Sequence, residues 1–282
     1  MHDGTRGLIE RALSEDAPTG DLTGELTIRR DDRCTAELRA KSDGVLAGAR
    51  VADLVFAVAA DADGMGAVGV RWTVGDGDAV RSGDVLAVIE GPARTILRAE
   101  RVAINFLGHL SGVATLTRAF VEAAKPARIL CTRKTIPGLR ALQRDAVVAG
   151  GGSLHRASLS DAVLVKDNHL TVAGGVQRAI AGTRNGGVPI EVEVETLDDL
   201  DEALANGADT ILLDNPTPEL VRDAVARVGD PERLEVSGGV SLETVQSLVE
   251  AGARVISVGR ITHSAPSLDL SLEVTDVDRR TV

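Results

Sequence analysis

The chain of 282 residues has no tyrosine, three phenylalanines, one tryptophan and two cysteines. Cys34 and Cys131 cannot build a disulfide framework, and neither stands in metal-ligand spacing. No apolar run approaches the roughly 20 residues that a membrane span needs. Residues Met1 to Arg6 lack the apolar centre of a signal peptide, so the chain is expected in the cytoplasm. The formal net charge is −11, with acids spread evenly, which argues against a nucleic-acid or anionic-membrane surface. Lysine is nearly missing. Only Lys41, Lys125, Lys134 and Lys166 occur among 31 basic residues, and arginine supplies the other 27. Scarce lysine, few aromatics and abundant acid together suggest a high-salt or GC-biased source.

Against that background Thr132-Arg133-Lys134-Thr135 stands out, because it sets an ammonium beside a guanidinium. Arginine offers a rigid planar fork suited to carboxylates and phosphates, whereas lysine is a compact, mobile point charge. The pair follows an apolar run ending at Cys131 and reads as two different tools for one anionic ligand; a solvated turn is the plainer alternative. The other isolated lysine opens the string Lys166-Asp167-Asn168-His169.

A length of 282 residues allows about two domains, and the pattern changes near residue 95. Before it, Asp21–Ile28 and Cys34–Ala40 alternate apolar and polar, as half-buried strands do. Val68–Gly91 reads as hairpin-like strands punctuated by Gly75-Asp76-Gly77 and Gly83-Asp84, and helical patterns cover Gly7–Glu15 and Ala49–Ala60. This predicts an α+β domain built on antiparallel strands. The segment 74–91, VGDGDAVRSGDVLAVIEG, resembles the turns of biotinyl and lipoyl carrier domains. It lacks the lysine such carriers modify, so the likeness is one of architecture.

From Arg98 to Ala123 the pattern is helical, with Ala103, Phe106, Leu107, Leu110 and Val113 at spacings of three and four. Short β-branched runs follow at 128–131, 162–165, 189–194, 210–213, 233–236 and 254–258. The helices between several of them have readable ends: Thr196 opens one and Gly207 closes it, Thr217-Pro218 opens the next and Gly229 closes it, and Ser241 opens another that Gly252 closes. Strand–helix alternation at roughly 20–27 residues per unit predicts a parallel α/β barrel or sheet. The final stretch, Leu268–Val274, alternates again and is expected to rejoin the N-terminal domain as a strand.

Polar groups gather where those runs end, which is where barrel enzymes assemble their sites. In order they are Thr132-Arg133-Lys134, Lys166-Asp167-Asn168-His169, Glu193 with Glu195, Asp214-Asn215, Ser237-Gly238-Gly239 and Gly259. Ser237-Gly238-Gly239 before a helix start can cradle a phosphate with the helix dipole behind it. Glu193 and Asp214 on nearby strands can hold Mg²⁺ through oxygen ligands. His155-Arg156 adds donors, His263 beside Gly259 fits a phosphate neighbour or a structural cap, and His109 in the long helix reads as structural. An acidic chain that gathers Arg133, Lys134, His155, Arg156 and Lys166 is building a positive pocket against its own field, for a small, multiply charged anion.

The sequence resembles the nicotinate-nucleotide pyrophosphorylase (carboxylating), or quinolinate phosphoribosyltransferase, family. The strings that carry the resemblance are AERVAINFLGHLSGVAT, CTRKTIPGLRALQRDAVVAGGG, HRASLSDAVLVKDNH, EVEVETLDDL, ILLDN, SGG and ISVGRITHSAPSLDLSL. They run in family order from about Ala93 to Leu272, with a weaker match at EDAPTGDLT. The resemblance implies an N-terminal α/β sandwich over residues 1–100, joined by a C-terminal strand at 266–282. It implies an open-faced parallel α/β barrel, TIM-like and of phosphoribosyltransferase type II, over 101–265. It further implies a homodimer, or a higher assembly, with shared sites. The implied reaction converts quinolinate and phosphoribosyl pyrophosphate to nicotinate mononucleotide, pyrophosphate and CO₂, in NAD biosynthesis.

Carried across by the same resemblance, Arg133, Arg156, His155 and a partner subunit's Arg101 hold the two carboxylates. Lys134, Lys166 and His263 contact phosphates. Glu193 and Asp214 serve Mg²⁺ and the sugar hydroxyls, and Ser237, Gly238, Gly239 and Gly259 the 5-phosphate. Lys134, Lys166, Glu193 and Asp214 are the expected catalytic set. Two departures from the family pattern stand out: Ala157-Ser158, where a bulky apolar residue and a glycine are usual, and Cys131. The alternatives are a relative associated with molybdenum transport, which typically departs at the string that is intact at Lys166–His169, and a non-catalytic anion-binding protein.

Overall fold

The computed structural model describes residues 2, 4–183 and 186–278, so positions 279–282 of the expected terminal strand lie outside the described residues. The chain begins with α1 (Thr5–Asp16), α2 (Leu22–Thr27), β1 (Arg33–Ala40), β2 (Gly44–Val45), α3 (Ala49–Asp63), β3 (Gly69–Trp72), β4 (Ala79–Val80), β5 (Val85–Pro92) and α4 (Ala93–Ala123). It continues with β6 (Arg128–Leu130), α5 (Arg140–Ala149), β7 (Val163–Val165), α6 (Asp167–Ala173), α7 (Val176–Thr183), β8 (Ile190–Val194) and α8 (Leu197–Ala205). Last come β9 (Thr210–Asp214), α9 (Pro218–Val228), β10 (Leu234–Ser237), α10 (Val245–Glu250), β11 (Val255–Ser257), α11 (Arg260–His263) and β12 (Leu270–Asp278). Two compact units result. One holds residues 1–116, 136–151 and 264–282, the other 117–135 and 152–263.

The first unit is built on an antiparallel sheet in the order β12-β1-β5-β3, with β2 and β4 pairing separately. β1 buries every second residue, Cys34, Ala36, Leu38 and Ala40, as its alternation requires. β12 lies antiparallel to β1, from Ala40↔Leu270 to Arg33↔Asp278, so the end of the chain completes the first sheet. α3 buries Val51, Val55, Val58 and Ala59 along one face. α4 is 31 residues long, starts five residues before the expected Arg98, and buries Ala103, Leu107, Leu110 and Val113. Its Gly108 and Gly112 stand one turn apart, where the backbone of 266–268 crosses the helix. A Cβ on Gly112 would sit 2.0 Å from the Pro266 carbonyl oxygen, and one on Gly108 2.8 Å from that of Leu268. No helix among the described residues is long and apolar enough to cross a membrane.

Two expectations for this unit need correction. Asp21–Ile28 is not a strand but carries helix α2. Its alternation also places Leu22 and Leu26 four apart, and both are exposed, so no sheet face claims them. The Arg94 guanidinium donates to the Glu25 and Ile28 carbonyls, which takes up groups that the helix end leaves open. The Val68–Gly91 segment is not a chain of successive hairpins. β3 pairs directly with β5, while β4 leaves to pair with β2.

The second unit is a six-stranded, all-parallel sheet in the order β6-β11-β10-β9-β8-β7. The first strand lies beside the last, the order of a barrel, and the opening falls between β6 and β7. Val192, Ile211, Leu213, Val236 and Ile256 are fully buried, which gives the continuous apolar strands that a parallel sheet needs when helices cover it. Caps act as read from the sequence: Thr196 accepts from the Asp199 amide, Thr217 from the Leu220 amide with Pro218 following, and Gly229 ends α9. Gly207 and Gly252 stand one residue beyond the cap positions Asn206 and Ala251. α10 begins later than expected. Ser241–Thr244 form a turn held by the Thr244 hydroxyl, and the helix starts at Val245.

Candidate active site

One cavity of about 380 Å³ opens in the barrel unit, lined at its charged positions by Arg133, Lys134, His155, Arg156, Lys166, Glu193, Asp214 and Glu235. Strand register explains how the floor forms. Glu193 on β8 and Glu235 on β10 both stand level with Leu212 on β9, and Asp214 stands level with Ser237. Register partners project to the same side of a sheet, so these side chains line one face. Eight expected residues therefore meet: Arg133, Lys134, His155, Arg156, Lys166, Glu193, Asp214 and Ser237.

The Thr132–Thr135 turn is held locally rather than loosely solvated. The Thr132 hydroxyl accepts from the Lys134 amide at 3.0 Å, and the Thr262 hydroxyl donates to the Lys134 carbonyl at 2.8 Å. Lys166 caps α6, whose His169 ring accepts from the Lys166 amide, and its ammonium forms an ion pair with Glu193. Burial, and after it the neighbouring Arg133, pulls the Arg156 guanidinium below its ordinary pKa. The two arginines are near enough to repel each other, and an anion between them would relieve that repulsion.

Gly238 and Gly239 carry successive positive φ angles of 84° and 58°. A Cβ on Gly238 would fall 2.3 Å from Asn215 Oδ1, so only glycine fits. Asn215, itself at φ 51°, donates its side-chain amide to the Asp214 carboxylate at 2.7 Å. The expected helix dipole behind this turn is absent, because α10 starts six residues past Gly239; the turn offers a backbone nest instead. Gly259 and His263 are not among the residues lining the cavity but flank it: a Cβ on Gly259 would meet Lys134 Cδ at 3.1 Å and His263 Nε2 at 3.3 Å. Arg101 is exposed on the part of α4 that belongs to the first unit.

His155 lines the cavity with its ring held between acids and backbone. Its Nε2 lies 3.2 Å from both Glu191 and Glu235, and its Nδ1 accepts from the Arg156 amide at 2.8 Å. Those carboxylates raise its pKa to about 10, Glu191 first. The Arg156 amide opposes them, since it needs a bare Nδ1 and so disfavours the imidazolium. Burial pushes the Glu191 carboxyl up, against the pull of His155. Glu191 and Glu235 were missed in the sequence. Glu191 stands two before Glu193 and so on the same strand face, and a charge inside Leu234–Ser237 is unusual for a central parallel strand. His109 is structural as read: it meets Gln143 at 2.9 Å, and burial lowers its pKa.

The ligand atoms of His155, Glu191 and Glu235 lie within 4.8 Å of one another, a spacing that could hold a metal ion. Glu193 and Asp214 provide an all-oxygen pair on the same cavity, the donor chemistry that Mg²⁺ prefers. At the Ala157-Ser158 departure, the Ala157 and Ser158 amides and the Ser158 hydroxyl all donate to Asp161. These bonds draw the Asp161 carboxyl down to about 2 and tie the loop that follows Arg156.

Fold and cavity together define an α/β-barrel protein built to hold a small, multiply charged anion. The chain belongs to the quinolinate phosphoribosyl transferase family, matching its N-terminal domain over residues 21–111 and its C-terminal domain over 113–273. It is 38% identical over 303 residues to quinolinate phosphoribosyltransferase [decarboxylating] 1b of Nicotiana tabacum, covering 98% of this chain and 85% of that protein. It is 40% identical over 273 residues to the probable nicotinate-nucleotide pyrophosphorylase [carboxylating] of Bacillus subtilis (strain 168), covering 95% and 92%. Among solved structures, the nicotinate-nucleotide pyrophosphorylase from Francisella tularensis superposes with a TM-score of 0.90 at 35% identity, covering 97% of this chain and 96% of that one.

Proposed function

We propose that the protein is a decarboxylating quinolinate phosphoribosyltransferase that makes nicotinate mononucleotide, pyrophosphate and CO₂ for NAD synthesis. The observation that carries this reading is the meeting of Arg133, Arg156, Lys134, Lys166, Glu193 and Asp214 on one cavity of about 380 Å³. Arg133 and Arg156 each present a planar fork, and bidentate Arg–carboxylate pairing fixes orientation as well as charge. Two such forks suit a dicarboxylate. They hold quinolinate with its ring nitrogen toward the sugar carbon of phosphoribosyl pyrophosphate.

As the bond to pyrophosphate breaks, the sugar becomes cation-like, and Glu193 and Asp214 stabilise that charge. Lys134 and Lys166 offset charge on the departing pyrophosphate. The ion pair between Lys166 and Glu193 holds both groups in place before substrate enters. Glu193 and Asp214 are the residues that would hold Mg²⁺, which when bound neutralises phosphate charge. The Gly238-Gly239 nest and Ser237 take the 5-phosphate, with Gly259 and His263 at its edge. Once the ring nitrogen is quaternary, its positive charge stabilises the carbanion left when the adjacent carboxylate departs as CO₂, and that carbon then takes a proton from water. No side chain acts as a nucleophile.

In our reading the enzyme is a homodimer in which Arg101 of each subunit reaches its neighbour's cavity. The two buried cysteines, neither in a disulfide, suit a reducing compartment, and we place the protein in the cytoplasm. The test is turnover with quinolinate, nicotinate and nicotinamide side by side, with pyrophosphate release as readout. Quinolinate alone should be used efficiently. Comparable rates with nicotinate would overturn the assignment, and affinity without pyrophosphate release would leave an anion-binding protein. For the shared site, an Arg101→Ala subunit mixed with a Lys166→Ala subunit should regain part of the activity, since one site of the hybrid lacks both defects. No recovery in properly exchanged hybrids would refute it.

A further inference from the structure

The two acids missed in the sequence sit beneath the cavity, with side chains only 13% (Glu191) and 5% (Glu235) exposed. They come from different strands, β8 and β10, yet converge on one nitrogen, His155 Nε2, at 3.2 Å each. Buried carboxylates are costly, and replacing them with apolar residues of similar size is often neutral or stabilising. Packing alone therefore does not account for them. The contacts continue upward. His155 Nδ1 accepts the Arg156 amide, and the Arg156 guanidinium donates to the Ala162 carbonyl at 3.1 Å. A continuous line thus runs from the barrel floor through an imidazole to the backbone of a cavity arginine.

We propose that Glu191 and Glu235 are positioning residues that act through His155, fixing its ring so that the ring in turn fixes Arg156 for a substrate carboxylate. The assignment deepens the functional reading above and rests on it. Glu191 also attracts the Arg156 guanidinium, which offsets the repulsion between Arg156 and Arg133 before a dicarboxylate arrives. Glu191 from β8, Glu235 from β10 and the adjoining Arg156 all face His155. The same three side chains are spaced for a metal ion, but the amide donating to Nδ1 puts the ring hydrogen on Nε2, between the carboxylates, where the cation would have to bind. A proton, not a metal, joins them.

Three measurements test this. In wild-type protein carrying ¹⁵N-histidine, long-range ¹H–¹⁵N spectra should show the His155 hydrogen on Nε2 from pH 6 to 9. A hydrogen on Nδ1 alone, or loss of the Nε2 signal to added Zn²⁺, would overturn the proposal, and this readout needs no activity. In Glu235→Gln and Glu191→Gln, KM for quinolinate should rise about tenfold or more, with kcat and KM for phosphoribosyl pyrophosphate within about threefold. An unchanged quinolinate KM, or a fall in kcat alone, would refute the positioning role. Glu235→Asp, which keeps the charge, should regain part of the lost affinity; no rescue in a folded Asp variant counts against it. Should a Gln variant not fold, the wild-type tautomer and the Asp variant still decide. A wild type inert toward quinolinate would instead sink the functional reading, and the tautomer measurement keeps the two failures apart.

Discussion

The two units bury polar groups to opposite ends. In the first, Ser111 is wholly buried and its hydroxyl accepts from the Ala47 amide and donates to the Ala47 carbonyl, so it serves the backbone. In the barrel, Glu235, Ser237 and Ser257 are also buried but line a cavity. Buried polar atoms need partners. Ser111 finds both of its own in the backbone, while Ser237 and Ser257 face a space that a ligand can enter. The first unit should thus respond to changes of volume, and the barrel to changes of charge and hydrogen bonding.

The sharpest break of that contrast is Gly112→Ala, which adds one methyl group 2.0 Å from a carbonyl oxygen. Backbone cannot yield as a side chain can, so we expect a loss of about 3 kcal/mol or more, measured by urea denaturation. A loss near zero would mean the crossing is not close-packed. Lys166→Ala should do the reverse. Activity should fall on the order of 100- to 1,000-fold, as when one charge-stabilising donor is removed, while stability changes by about 1 kcal/mol or less. A large fall in stability with modest loss of activity would erase the distinction.

Arg133→Lys is milder and should separate the two tools of the Thr132–Thr135 turn. It keeps charge but loses the fork, and should weaken quinolinate binding by roughly 10- to 150-fold, the equivalent of about 1.5–3 kcal/mol. Lys134→Arg should instead impair use of phosphoribosyl pyrophosphate. Steady-state kinetics with each substrate varied distinguishes them; equal, mild effects on both would make the turn ordinary surface.

The smallest expected effect is a pH slope. His155 has its folded pKa raised, so its contribution is complete below the ordinary value of 6.5 and is lost as pH rises toward about 10. The stability difference between wild type and His155→Gln should therefore shrink across that window. A difference that grows with pH would contradict the sign. No such slope is expected from the first unit's His109, whose pKa is lowered by burial.

Much was legible because local chemistry is local in sequence. The β1 alternation, the apolar stripe of α4, the Thr217-Pro218 start and the six barrel runs each reflect a period or a cap that neighbouring residues set without outside help. The strand-end clustering of Arg133, Lys166, Glu193 and Asp214 was readable for the same reason, since a strand's C-terminal end is fixed by where its apolar run stops. Asp21–Ile28 misled because residues two apart are also four apart when counted twice, and nothing within the segment says whether a sheet edge waits for it. That depended on Arg94, more than sixty residues away.

What sequence alone determined is thus the periodicity, the caps and the list of ionisable groups at strand ends. Only tertiary structure decided which strands adjoin, and therefore which charges share a partner. Glu191, Glu235 and His155 lie far apart in the chain and become one cluster through the β8-β9-β10 register and the return of residues 152–156 beside β6, at the Leu130–Ser153 bridge. Electrostatic interaction depends on distance in space and on exclusion of water, and chain order records neither.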